Sequence, residues 1–155
     1  MPRFYRRAAY RRSAARDKYS VEQQAGTVSV PAEGQAYTQV VPDSAIQGMR
    51  KVKHLTVSLG DNTTGSICLY WALVYVPQGT SPSPLNLTGG TGMYEPNQFV
   101  MNCGVLDLTA GPARIYSPVS RNLNSGDKVF LILANTSTDT SAAFHYVVRY
   151  AITLQ

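Results

Sequence analysis

The chain contains few of the residues that carry most catalytic and metal chemistry. Its 155 residues include two histidines, two cysteines and nine carboxylates. His54 and His145 lie far apart in the sequence, whereas a zinc site needs three or four converging ligands. The alternative is that the two histidines and two cysteines, although on different strands, converge by chance into a metal site. No Gly-x-Ser-x-Gly elbow or phosphate-binding loop occurs. The sequence therefore predicts a protein that is not an enzyme, with no catalytic residues, metal site or cofactor.

Cysteines and long apolar runs are also scarce. Cys68 and Cys103 are too few for a disulfide framework, and both lie inside apolar runs, so we predict buried thiols rather than a bridge or a reactive site. Buried thiols fit a reducing compartment. The longest apolar run, residues 67–76, has ten residues, whereas a membrane span needs about 20. The N-terminus lacks the apolar centre of a secretory signal peptide. The sequence therefore predicts no membrane insertion.

No segment shows the apolar spacing of an amphipathic helix, and the patterns present are those of strands. Residues 55–59 alternate between apolar and polar, and residues 144–154 do so to the end of the chain. Residues 67–76 are apolar on both faces. A helix is possible there on pattern alone, but the aromatics and the flanking Gly and Pro favour a central strand. Seven or eight strands separated by turns predict an all-β fold, an antiparallel sandwich or barrel.

The remaining segments have weaker signals. Residues 37–41, 99–108, 113–119 and 128–134 are predicted strands, residues 21–34 a transition, and residues 122–127 a turn. Residues 77–98 are rich in Pro and Gly and form a predicted long loop. Such loops are usually functional or contact a neighbouring subunit, and variable decoration is the alternative.

Positive charge is concentrated in the first twenty residues. They contain seven basic residues and one acidic residue, a formal charge of +6, whereas the whole chain has +5. Residues 21–155 therefore contain seven basic and eight acidic residues and a formal charge of −1. We predict two parts, a basic arm at residues 1–20 that is disordered until it binds a partner, and a β-domain at residues 21–155.

The arm alternates arginines with aromatics. Guanidinium groups match phosphate oxygens, and aromatic rings stack on unpaired bases, a pairing that favours single-stranded nucleic acid. The predicted nucleic-acid-binding residues are Arg3, Phe4, Tyr5, Arg6, Arg7, Tyr10, Arg11, Arg12, Arg16 and Lys18. Alternatives are a solvated tail without a partner and an organelle transit peptide. The pairs Arg6–Arg7 and Arg11–Arg12 also fit a nuclear import signal, which can coexist with nucleic-acid binding.

Three segments of the β-domain resemble one protein family. They are MYEPNQFVMNCGV at residues 93–105, AGPARI at 110–115 and SPVSRNLNSGD at 117–127. The chain resembles the capsid proteins of small circular single-stranded DNA viruses that encode a rolling-circle replication initiator, the circovirus-like CRESS-DNA viruses. The resemblance covers about residues 50–154, and the arm is similar in kind to the basic tails of that family, although the chain and arm are shorter.

The resemblance implies a single jelly roll that self-assembles into a T=1 icosahedral shell of 60 subunits around single-stranded DNA. The arm would face the interior and bind a host nuclear import receptor, which places the protein in the virion and the host nucleus. Sixty arms at +6 supply about 360 charges, on the order of a quarter of those on a genome of about 1.5 kilobases. Other cations, or inward residues such as Arg50, Lys51 and Lys53, would have to contribute.

Three other functions remain open at this point. A non-viral nucleic-acid-binding protein, ribosomal or single-strand-binding, explains the arm, but such proteins usually carry basic residues over the body as well. A jelly-roll lectin explains the body but not the arm. A metal-dependent cupin fits the fold class only, because the chain has two histidines.

Overall fold

The structure is a computed structural model that describes residues 19–61, 68–88, 92–108 and 111–154. These ranges contain nine strands and one short 3-10 helix at Asn97–Phe99. The strands are β1 Tyr19–Val30, β2 Gln35–Val41, β3 Arg50–Asp61, β4 Cys68–Val76, β5 Val100–Asp107, β6 Ala113–Ser117, β7 Arg121–Leu123, β8 Lys128–Asn135 and β9 Ala142–Leu154. Across the described residues we find no helix that is long and apolar enough to span a membrane.

The strands form two antiparallel sheets. Sheet 1 has the order β1-β9-β3-β6, with β7 also paired to β3, and sheet 2 has the order β2-β8-β4-β5. The pairings nest about the β4–β5 connection: β3 pairs with β6 and β7, β2 with β8, and β1 with β9. A long antiparallel hairpin rolled up in this way is a jelly roll. The predicted fold class, an all-β jelly-roll sandwich, is confirmed.

The main core lies between the two sheets and follows the alternation in the sequence. In β3, Leu55, Val57 and Leu59 are fully buried, and in β9, Phe144 and Val148 are as well. Successive side chains of a strand point to opposite faces, so the residues that alternate with these five, namely Thr56, Ser58, His145 and Val147, lie on the outer side of sheet 1. The predicted strands at residues 55–59 and 144–154 are confirmed.

Sheet 2 is buried on its outer side as well, under the segment that follows β4. Leu85 and Tyr94 of this segment are 4% and 3% exposed and pack in a second core with Ala72, Val74 and Ile132. β4 therefore has apolar neighbours on both faces. This explains why its sequence is apolar throughout and confirms the predicted central strand.

Hydrogen bonds hold the segment that follows β4, which we call the cover, against the outer side of sheet 2. The Gln35 side chain donates to the Leu85 carbonyl at 2.8 Å and accepts from the Leu85 amide at 2.7 Å. The Ser83 amide donates to the Tyr94 hydroxyl at 3.2 Å. The segment predicted to contact a neighbour or to be variable decoration thus covers its own sheet.

The prediction of buried thiols was wrong. Cys68 and Cys103 are both exposed. Cys68 is the first residue of β4, and Cys103 lies on the edge strand β5, opposite Ala72. Apolar neighbours in sequence do not bury a residue at a strand end or on an edge strand.

Two further segments differ from the prediction. Residues 21–30 belong to the twelve-residue strand β1, which pairs with β9 along its whole length. Its first seven residues are exposed, so they lack the apolar alternation that identifies a half-buried strand. The start of the predicted turn at residues 122–127 is strand β7, which pairs with β3. The turn itself begins after Leu123.

We expect the cover on sheet 2 to contribute to stability through Leu85. The substitution Leu85→Ala removes a 4% exposed side chain from the second core and should lower the free energy of unfolding by about 2–4 kcal/mol. Urea denaturation monitored by circular dichroism measures this difference. Leu87→Ala, two residues away at a 37% exposed position, is the matched control and should cost less than about 0.5 kcal/mol. Equal losses would contradict a packed cover.

Candidate nucleic-acid interface

The outer side of sheet 1 carries side chains from five strands, and we call it the outer basic face. The register aligns its residues in rows across the sheet. One row runs Gln23, Arg149, Thr56, Tyr116, and the next Ala25, Val147, Ser58, Arg114. The face consists of Tyr19, Val21, Gln23, Ala25, Lys51, Lys53, His54, Thr56, Ser58, Arg114, Tyr116, Asn122, His145, Val147, Arg149, Ala151 and Thr153.

The charges on this face have one sign. Four of the seven basic residues of the β-domain lie on it, namely Lys51, Lys53, Arg114 and Arg149. Every carboxylate whose side chain the structure describes lies elsewhere, and Glu22, which precedes Gln23 in β1, has the opposite parity. The formal charge of −1 over residues 21–155 therefore conceals a face of +4. A surface with one sign of charge attracts a polyanion.

Exposed aromatic rings lie among these charges. Tyr19 is 38% exposed and Tyr116 is 44% exposed. The Lys53 ammonium donates to the Tyr19 hydroxyl at 2.5 Å and lies 4.9 Å from the centre of its ring. Basic side chains beside exposed aromatics provide phosphate contacts and stacking surfaces together, which is the combination that binds single strands.

A cleft of about 300 Å³ lies in the middle of the outer basic face. Arg114 and Arg149 line it together with Tyr116 and His54. His54 sits at an irregularity in the β3–β9 pairing with a φ of 54°, and its Nδ1 is 3.3 Å from the Tyr116 hydroxyl. A bulge re-aims a side chain, and here it brings an imidazole to the cleft. The lining offers two guanidinium groups for phosphate and two aromatic rings for a base.

The predicted arm residues lie outside the described residues. They are Arg3, Phe4, Tyr5, Arg6, Arg7, Tyr10, Arg11, Arg12, Arg16 and Lys18. The predicted boundary at residue 20 stays a prediction, although β1 already begins at Tyr19. Tyr19, the first described residue, lies on the outer basic face beside Lys53.

Of the three body residues expected to add to the arm's charge, the structure places two on this face. Lys51 and Lys53 lie on it. Arg50 does not: it is 7% exposed, and its guanidinium donates to the Pro42 carbonyl at 3.1 Å and to the Asp127 carbonyl at 3.3 Å. Arg50 has the parity of Val52, which faces the core, so the expectation of a nucleic-acid contact by Arg50 was wrong. Arg114 and Arg149 were missed, since only the register brings them together.

Asp127 organises the end of the sandwich beside this face. It is 3% exposed, and its carboxylate accepts from the Tyr75 hydroxyl at 2.7 Å, the Asn124 amide at 2.7 Å and the Gln78 amide at 3.0 Å. Three donors compensate the loss of water around a buried carboxylate. Asp127 is thus a structural residue of the turn in the SPVSRNLNSGD segment. The pKa of the Tyr75 hydroxyl is raised to about 12, chiefly because Tyr75 is partly buried and secondly because it donates a hydrogen bond to Asp127.

The fold and this face define a class, a jelly-roll β-sandwich with a one-signed basic outer sheet. No protein-family model matches the chain, and no curated protein is similar to it. Among solved structures, the chain is similar to the structure of infectious bursal disease virus, Gx strain. The TM-score is 0.36 and the identity 10%, over 88% of this chain and 32% of that one. The chain therefore spans about a third of that structure's length. Within the described residues, no group of three or more metal-ligating side chains comes together.

We expect stability to fall at alkaline pH partly through Tyr75. Its pKa is raised to about 12 in the folded chain, against about 10 in the unfolded chain. The unfolded chain therefore releases this proton first, and the stability contributed by neutral Tyr75, full below pH 10, is lost as the pH rises toward 12. Urea midpoints at pH 9, 10 and 11 should fall less steeply in Tyr75→Phe than in the wild type. Tyr116→Phe, at an exposed position, should keep the wild-type slope.

Proposed function

We propose that this protein is a viral coat protein that self-assembles into a shell and packages single-stranded DNA. The observation that carries the proposal is the outer basic face, because it adjoins the point where the basic arm joins the β-domain. The arm has a formal charge of +6 and the face one of +4, on a chain of the jelly-roll class. The resemblance of residues 93–127 to circovirus-like capsid proteins points the same way.

Single-stranded rather than duplex DNA is the favoured ligand. Tyr19 and Tyr116 are exposed next to basic groups, and the central cleft of about 300 Å³ is lined by both aromatic and basic side chains. Unpaired bases stack on such rings at about 1–3 kcal/mol each. A duplex has no free base faces to offer, so the tyrosines would contribute little to its binding.

The face also changes the charge balance of the proposed particle. Six charges on the arm and four on the face give ten per subunit, or about 600 in a shell of 60 subunits. A genome of about 1.5 kilobases carries about one negative charge per nucleotide, so protein neutralises on the order of two fifths of it. Other cations are still required, although fewer than the arm alone would need.

The remaining parts of the proposal rest on the resemblance. They are the T=1 shell of 60 subunits, nuclear import through Arg6, Arg7, Arg11 and Arg12, and residence in the virion and the host nucleus. We also propose that the protein is not an enzyme.

A non-viral single-strand-binding protein is the second candidate. The objection to it was a neutral body, and the outer basic face removes that objection. The two candidates differ in assembly, because a binding protein needs no closed shell.

We expect the purified full-length chain to form particles far larger than a monomer. Size-exclusion chromatography and negative-stain electron microscopy should show closed shells of uniform diameter, and nuclease-protected single-stranded DNA should co-purify with them. A chain that stays monomeric at every salt concentration and pH tested, yet binds single strands, would favour the second candidate.

We expect the outer basic face to contribute to the salt dependence of DNA binding. Each phosphate contact with a single strand contributes about −0.7 to the slope of log affinity against log salt. The double variant Arg114→Gln/Arg149→Gln should therefore have a slope shallower by about 1.4, and Lys53→Gln one shallower by about 0.7. Fluorescence anisotropy of a labelled thymidine oligonucleotide over a range of sodium chloride concentrations measures these slopes.

Lys128→Gln is the matched control. Lys128 belongs to β8 in sheet 2, and its ammonium lies 5.9 Å from the Phe130 ring centre, away from the outer basic face. Its removal should leave the slope unchanged. A change as large as that of Lys53→Gln would mean that binding follows net charge rather than the face.

A further inference from the structure

A second cleft lies at the end of the sandwich where β7 pairs with β3, and we call it the edge cleft. Its volume is about 420 Å³, and Lys51, Tyr75, Ser120, Arg121 and Asn122 line it. No carboxylate is among these lining residues. The cleft therefore combines two cations with a hydroxyl and an amide, which are all able to donate hydrogen bonds to an anion.

Arg121 is held in place by two contacts. Its guanidinium carbon lies 4.7 Å above the centre of the Tyr75 ring, and one of its nitrogens donates to the Gln98 carbonyl at 3.3 Å. Tyr75 is itself fixed by its hydrogen bond to Asp127. A guanidinium has five N–H donors, and among the described residues only the Gln98 carbonyl accepts from one. The planar fork of Arg121 is thus oriented and still has donors available.

Lys51 supplies the second cation. It lies opposite Asn122 in the β3–β7 register, and its ammonium forms no hydrogen bond or ion pair with any described residue. The carboxylate behind the cleft, Asp127, is 3% exposed and already accepts three hydrogen bonds. Asp127 is not among the residues that line the cleft, and its carboxylate accepts from these three donors rather than from Lys51.

We propose that the edge cleft is a binding site for a single phosphate group, with Arg121 as the two-pronged donor and Lys51 as the second charge. A planar fork beside a point charge matches the tetrahedral oxygens of phosphate. The group can belong to a free phosphate or nucleotide or to a polynucleotide. This proposal goes beyond DNA packaging, because it requires a discrete, saturable site rather than a surface that tracks a backbone.

The first test uses inorganic phosphate and the full-length chain. Equilibrium dialysis with labelled phosphate, at constant ionic strength in sodium chloride, should show saturable binding. Arg121→Gln and Lys51→Gln should each weaken it about tenfold or more, the loss of one charged hydrogen-bonding partner. Arg121→Lys keeps the charge but lacks the fork, and should also bind more weakly. Lys128→Gln, which removes a cation outside both the edge cleft and the outer basic face, should bind like the wild type.

The second test distinguishes the sources of the group. Anisotropy titrations compare thymidine oligonucleotides with and without a 5′-phosphate. If inorganic phosphate binds and Arg121→Gln abolishes this, a free phosphate suffices. If only oligonucleotide binding responds to Arg121→Gln, the group comes from a polynucleotide. If neither responds, or if Lys128→Gln weakens phosphate binding equally, the proposal is overturned.

Circular dichroism of each variant should show that the fold is retained, and dialysis measures binding independently of stability. The result is also separable from the proposed packaging function. If the packaging function is wrong, the chain forms no shells but still binds phosphate at the edge cleft. If the phosphate site is wrong, the chain binds no phosphate there but still forms shells.

Discussion

The structure depends on one difference between its two sheets: only one of them buries both faces. Sheet 2 lies between the main core and the segment fixed by Gln35 and Leu85, so its strands are apolar on both sides. Sheet 1 buries one face only. Its other face is free to be polar, and all the described charges on that face are positive. Both the stability and the proposed function of the molecule follow from this division.

The second constraint lies at the end of the sandwich, where Asp127 joins three parts of the chain. Its carboxylate accepts from Tyr75 and Gln78 near the end of β4 and from Asn124 in the turn, and its carbonyl accepts from Arg50 at the start of β3. A buried carboxylate is stable only while such donors are present. The same contacts orient Tyr75, and Tyr75 in turn supports Arg121. One buried anion therefore organises both the turn and the edge cleft.

Much of the fold could be predicted from local patterns, but little of the site could. β3, β4 and β9 follow from alternation or from continuous apolar runs. β1 could not be predicted because its exposed half lacks an apolar stripe, and β7 is too short for a pattern. Cys103 was misjudged because apolar neighbours do not reveal that a strand is at the edge of a sheet. The glycine at position 104 shows the same limit of local patterns. A Cβ there would lie 3.2 Å from the ring of Trp71 on the neighbouring strand, a close approach that only the strand pairing reveals.

The outer basic face explains why sequence reasoning located all the positive charge in the arm. Lys53, Arg114 and Arg149 are separated by tens of residues, and their charges cancel against carboxylates when the chain is summed. Only the antiparallel register aligns them on one side of one sheet. Salt largely screens the field of a charge beyond roughly 8–10 Å, so the net charge of the chain does not describe binding at one face. A polyanion at the surface responds instead to the face it touches, and the described charges on the outer basic face are all positive.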